Sequence, residues 1–283
     1  MAEARANDAL QRAIRGEQLL RHESSLGYSG VGLPIREEIL DTVGRAVVTR
    51  NSYGARCLNT PDVLFADVDA EPPPAPWVLG PALILALATA GAVFMATFSA
   101  GAAAVAFVAS FPIFLVVMLV GVERLRKSGR VRAGRDRIAR FVAAHPGWGV
   151  RVYQTPSGLR AMATHRPFAS SDPEVRAFFD AIGVDEVYAQ MCANQQCFRA
   201  RLTPKPWRIG LKHITPRSAW PVPAEKRPAR EAWIAHYEAA SRGYAACRFL
   251  EAVGSGTVHI DIENIRRFHD DTCRALDERL PIA

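Results

Sequence analysis

Two carboxylates set two residues apart, Asp67 and Asp69 in DVLFADVDAEPPPAPW (62–77), are the first side chains whose type and spacing could do chemistry. Alternate residues of a strand share a face, so Phe65, Asp67 and Asp69 point one way and Leu64, Ala66 and Val68 the other. Neighbouring carboxylates repel unless a cation or an arginine lies between them. Magnesium or manganese, held by one or two carboxylates together with substrate phosphates, is a common solution; ordinary acids on a solvated strand end are the alternative. A third acid, Asp261 in HIDIEN (259–264), reads as part of a strand with His259 and Glu263 on its face. It would complete a metal site if that strand ran beside Asp67.

Two further stretches suit an anion. In YQTPSGLRAMATH (153–165), Thr155, Pro156, Ser157 and Gly158 form a turn between two strands, with Arg160 and His165 on the returning strand. Hydroxyls and backbone N–H groups at such a tip can receive a phosphate, and a plain hairpin turn is the competing reading. In CFRARLTPKPWRIG (197–210), Arg199 and Arg201 share a strand face, and Lys205, Trp207 and Arg208 follow on a proline-stiffened loop. Cations near an aromatic ring suit nucleotide phosphate and base stacking, and equally a solvated edge or anionic lipid headgroups. Among the five cysteines, Cys192 and Cys197 form a C-x4-C without a second pair, and Cys273 stands four residues after His269 on one face of an expected helix. A metal site and a solvated helical face both fit that last pair. Walker-type loops, G-x-S-x-G and H-E-x-x-H are missing, which removes the common P-loop, hydrolase and zinc-protease signatures.

Taken in order, Asp67 and Asp69, then the 155–158 turn with Arg160 or His165, then Asp261 resemble the palm of the archaeo-eukaryotic primase and primase-polymerase superfamily. The resemblance implies that the three acids hold two metal ions as catalytic residues and that the middle motif contacts nucleotide phosphate. This chain departs from the pattern in placing a long apolar segment between the first two motifs, and in having Arg160, or His165 further along, where a histidine would follow the turn.

The elements that position these residues are organised around that segment. Residues 72–122 carry no charged side chain. One crossing of the hydrocarbon core takes roughly 20 residues, so the run predicts two spans, near 77–97 and 103–122, with the break in FSAGAAA (98–104). Ala88, Ala92 and Ala96, and Ala102, Ala106 and Ser110, make small-residue stripes that let two helices approach closely. Residues 123–140 then carry eight Lys/Arg against two acids. The positive-inside rule places that flank, and both termini, in the cytosol of a bacterial cell, with the hairpin crossing the inner membrane. No charge lies within the spans to mark an ion path.

On either side, strand-like and helix-like patterns alternate. GRAVVTR and DVLFADVD read as strands before the segment. GVRVYQT, LRAMATH, CFRARLT and TVHIDI read as strands after it, and DPEVRAFFDAI, residues 229–253 and ENIRRFHDDTCRALDERL as helices. This predicts an α+β fold: one cytosolic domain of mixed sheet and helix, its strands joining one sheet, built from residues 1–71 and 123–283, into which the proline spacer and transmembrane hairpin (72–122) are inserted. An amphipathic helix is expected around Leu10, Ile14, Leu19 and Leu20. The net charge of +7 favours anionic partners. Two functions follow: a membrane-anchored domain that binds nucleotide or nucleic acid, with primase-like metal-dependent transfer, or a non-enzymatic anchored interaction domain.

Overall fold

The computed structural model describes residues 36–69, 76–216 and 220–283. The expected helix at Leu10–Leu20 and the proline spacer at 72–75 lie outside the described residues. The fold is α+β, and among the described residues eight strands make two antiparallel four-stranded sheets rather than the single sheet expected. The first, in the order β1–β2–β3–β7, contains β1 (Glu38–Val43), β2 (Ala46–Arg50), β3 (Arg56–Thr60) and β7 (Phe198–Arg201). The second, in the order β4–β6–β5–β8, contains β4 (Phe65–Asp69), β5 (Gly149–Gln154), β6 (Gly158–Ala163) and β8 (Arg248–Gly254).

The split arises at Thr60, whose hydroxyl accepts the backbone N–H groups of Asp62 and Val63 and so turns the chain out of the first sheet before β4 begins. The sheets are nevertheless tied together. The Tyr188 hydroxyl lies 2.9 Å from the carbonyl oxygens of both Phe65 on β4 and Arg199 on β7. Buried residues of both sheets, among them Leu58, Phe65, Val152, Met162 and Phe198, belong to one continuous core.

Between β4 and β5 run two helices, α1 (Pro76–Thr97) and α2 (Ala100–Ala144). Both are long and apolar enough to cross a membrane. They turn at Phe98 and Ser99; the Ser99 hydroxyl caps α2 by accepting the Ala102 N–H at 3.3 Å. Ala82 and Ala86 are fully buried, whereas Ile84, Met95, Val105, Val108 and Ile113 are exposed. The basic stretch 123–140 continues α2 without a break. At about 1.5 Å per residue, α2 is roughly 67 Å long. Its final turns enter the core, where Ile138, Phe141 and Val142 are buried and the Phe141 ring packs 4.9 Å from Trp148 and 5.0 Å from Phe178. Gly134 eases this approach, since a Cβ there would come within 2.7 Å of the Leu159 side chain on β6, which would have to shift.

Helix α3 (Pro173–Ile182) covers the same side, burying Val175, Phe178, Phe179 and Ile182 at helical spacing, and α4 (Glu186–Gln195) follows it. Two expectations fail towards the C-terminus. The helix read over 229–253 is α5 (Arg227–Ser241) followed by β8. Residues 248–254 pair with β5, so a non-local ladder overrides their helical pattern. The strand read at TVHIDI is the start of α6 (Ile260–Cys273), capped by His259, whose Nδ1 accepts the Asp261 N–H at 3.3 Å.

Candidate functional site

The β4–β6 register sets Asp67 directly opposite Arg160. Their side chains form a two-pronged ion pair, with Arg160 Nε 2.7 Å from Asp67 Oδ1 and Nη2 3.0 Å from Oδ2. Arg160 is 1% exposed and Asp67 26%. Burial opposes the charge on Asp67, but the adjoining guanidinium, with its two hydrogen bonds, holds the carboxyl below its ordinary range. The cation beside Asp67 is therefore an arginine of the next strand.

Arg160 reaches further. Its Nη1 donates to the Arg201 carbonyl at 2.8 Å, linking the two sheets, and lies 3.4 Å from Nε2 of His269 on α6. His269 Nδ1 is 3.2 Å from Asp270 Oδ1, and Asp270 Oδ2 accepts from Arg151 at 2.8 Å and Arg266 at 3.1 Å. Tyr153 and Phe65 press on the imidazole with ring centroids 4.9 and 5.2 Å away. The result is a largely buried polar chain, Asp67–Arg160–His269–Asp270–Arg151, on the face of the second sheet opposite α2. Leu159, one residue from Arg160, meets α2 on the other face.

Two cysteines join this chain. Ala246 N–H donates to the Cys273 carbonyl at 3.0 Å and Phe249 N–H to that of Ala275 at 2.9 Å, so the start of β8 runs alongside the end of α6. That pairing brings Cys247 to Cys273. One donor atom from each of Cys247, His269 and Cys273 lies within 4.8 Å of the others, all three residues are buried, and together they could hold a metal ion. Cys247 Sγ is 3.9 Å from His269 Nε2. Cys273, His269 and Arg160 hold the Cys247 thiol well below its usual range against burial, whereas burial pushes Cys273 up. Burial opposes the imidazolium of His269, and Cys247 and Asp270 outweigh it and raise its pKa. Thiolate is a soft donor and imidazole a borderline one, and together they favour thiophilic cations, so this donor set does not indicate magnesium or manganese.

The other expected residues are distributed as follows. Asp69 ends β4 opposite Gly158. Asp261 lies in the first turn of α6, exposed and 3.6 Å from its own cap His259. It borders a cleft with Asp62, which precedes β4, and Ile265, whereas Asp67 is the middle residue of β4 and does not line that cleft. The helix carries His269 to Arg160, and Asp261 precedes His269 by about 12 Å along its axis. The structure thus does not bring Asp261 beside Asp67.

At the hairpin tip, Thr155 is buried; its hydroxyl accepts the Gly158 N–H at 3.0 Å, and its own N–H donates to the Gly158 carbonyl. Ser157 accepts from Arg208 at 2.6 Å, which joins this tip to the basic loop fifty residues on. Lys205 stands 5.4 Å over the ring of the half-exposed Trp207. Arg199 is buried and paired with Glu37, and the Arg201 cation acts against the burial that raises the Tyr53 pKa. His165 packs against Trp148, its Nδ1 3.2 Å from the Gly149 N–H, and burial lowers its pKa. Burial likewise pushes the Cys192 thiol up to about 12, and Cys192 and Cys197 are no part of the metal-competent group.

Sequence reasoning reached His269 and Cys273 through their helical spacing but missed Cys247 and Asp270. Asp270 had a signal in its place beside His269. Cys247 had none, because it fell inside a stretch read as helix. No protein-family model, curated protein or solved structure matches this chain.

Proposed function

We propose that the chain is an anchored interaction protein, which uses the α1–α2 hairpin to hold its α+β domain at the cytoplasmic face of a bacterial inner membrane. The observation that carries this reading is the apolar surface of the hairpin: the stretches Gly80–Thr97 and Ala100–Gly121 are apolar throughout, and the second is not buried by the rest of the fold. Such a surface is costly in water and suits lipid. The basic continuation of α2 supplies the cytoplasmic side with positive charge. The pairing of Asp67 with Arg160 supports a non-enzymatic role, because that carboxylate already has its counter-ion.

Reporter fusions at residues 30, 100 and 270 test the arrangement. They should read inside, outside and inside, with the chain in the membrane fraction after carbonate washing. An external reading at either flanking position, or a chain washed free, would remove the proposal.

A second reading, nucleotide or nucleic acid binding with primase-like transfer, is favoured by one observation. The half-exposed Trp207 stands between Lys205 and Arg208, and Arg208 is bonded to the Ser157 tip. If this surface stacks a base and holds a phosphate, nucleoside triphosphate with magnesium or manganese should bind the full chain in detergent. Trp207→Ala and Arg208→Ala should each weaken that binding, and it should fall with added salt. Equal binding by both variants would leave only the interaction reading.

A further inference from the structure

We infer that Cys247, His269 and Cys273 form a zinc site that clips the start of β8 to the end of α6. This inference stands apart from the membrane-anchoring proposal, and either can fail without the other.

Three observations converge. The first is donor type and spacing. Zinc bonds thiolate sulfur at about 2.3 Å and imidazole nitrogen at about 2.0–2.1 Å, usually in a tetrahedron. Donor atoms in such a site stand roughly 3.5–3.8 Å apart. Cys247 Sγ and His269 Nε2 are 3.9 Å apart, and all three donors fall within 4.8 Å, so small side-chain movements close the site.

The second is the support behind the histidine. His269 Nδ1 faces Asp270 Oδ1 at 3.2 Å, and Asp270 is fixed in turn by Arg151 and Arg266. With its Nδ1–H donating to the carboxylate, the imidazole presents the Nε2 lone pair towards the cysteines, the carboxylate–histidine–metal arrangement that orients zinc ligands. Arg160 Nη1 also approaches Nε2, but it retains its bonds to Asp67 and to the Arg201 carbonyl when that lone pair turns to a metal. The Arg201 carbonyl oxygen lies 3.7 Å from Cys273 Sγ, beside the three donors.

The third is burial. His269 is 0%, Cys247 0% and Cys273 1% exposed. A cysteine nucleophile or a redox thiol needs access, and these have none. Two thiolates, a divalent cation and a neutral imidazole carry no net charge, which a dry interior tolerates. Binding releases two protons from the cluster to solvent, since both sulfurs are thiolates and the imidazole is neutral in the bound site. A buried site of this kind serves structure: it joins two elements separated by a loop and holds the imidazole that Arg160 touches.

The test uses the full chain in detergent, freed of metal under a non-thiol reductant without oxygen and titrated with Zn2+ and separately with Co2+. One equivalent per chain should bind. The cobalt form should show thiolate-to-metal charge transfer and the intense visible bands of a tetrahedral ion, and zinc should raise the melting temperature with concentration. Cys247→Ser and Cys273→Ser should lose the charge-transfer band stepwise, and Asp270→Asn should weaken zinc binding about 10- to 100-fold. Cys192→Ser and Cys197→Ser should change nothing. Where the cluster variants fail to fold, the cobalt spectrum of the unaltered chain decides. A featureless or oxygen-ligand spectrum, less than one equivalent bound, or binding lost in Cys192→Ser overturns the site.

Discussion

The substitution Asp67→Asn separates two physical pictures of the acidic strand, because they give opposite signs. If the carboxylates of Asp67 and Asp69 were held together by a bound cation, neutralising one in metal-free protein would relieve repulsion and leave the fold as stable or slightly more so. The structure puts Arg160 in the cation's place, 2.7 and 3.0 Å from the two carboxylate oxygens. Arg160 is 1% exposed, so Asp67→Asn leaves a buried guanidinium without its counter-ion. Removing one partner of a buried pair costs about 3–5 kcal/mol. The 26% exposure of Asp67 lets water take up part of the loss, which puts the expected cost near the lower end, about 3 kcal/mol. For a domain of this size that is a fall of roughly 6–12 °C in melting temperature. Arg160→Met alone should cost a similar amount by stranding Asp67. The double variant Asp67→Asn/Arg160→Met should recover much of it, since neither buried charge remains. Thermal melts of the detergent-solubilised chain, with chelator and with magnesium, read all four corners of the cycle. A neutral or stabilising Asp67→Asn, or a magnesium-dependent rise in wild type that this variant loses, would refute the ion-pair account and restore a hard-metal site.

Three further outcomes follow from the same structure. Asp67 titrates below its ordinary range in the fold, so its contribution is complete above the unfolded carboxylate pKa of about 3.9 and is lost as pH falls through the folded value; wild type should lose stability on acidification below about pH 4 more steeply than Asp67→Asn, and parallel profiles would contradict this. Ile138→Ala, in the core-facing end of the basic helix, should cost about 2–5 kcal/mol, against little for its exposed neighbour Arg132→Ala, in denaturant titrations. Gly254 has φ +94°, and a Cβ there would sit 2.0 Å from the Trp148 carbonyl oxygen; Gly254→Ala should therefore separate β8 from β5 and raise amide exchange along both, whereas Gly256→Ala, with open space around it, should cost only its backbone strain.

What could be read from the sequence was what is decided locally. An uncharged run from 72 to 122 forms helices because hydrophobic length and the absence of polar interruptions are properties of the segment itself, and the observed turn at Phe98–Ser99 falls within the expected break. Strands β4 to β7 declared themselves through alternation and the Pro156-Gly158 turn, and α3 through Pro173 after Asp172. Tertiary structure decided the rest. Whether residues 248–254 are strand or helix depends on β5, a partner about a hundred residues earlier. The first turn of α6 carried helix-start acids at Asp261 and Glu263, but apolar alternation in HIDIEN masked them. The site depended most on long-range placement. Asp67 acquires Arg160 only through the β4–β6 register, and Cys247 meets His269 and Cys273 only because β8 runs beside the end of α6. Residue types advertise which charges and ligands a chain possesses, but the strand register and helix packing that choose their partners are collective properties of the folded core.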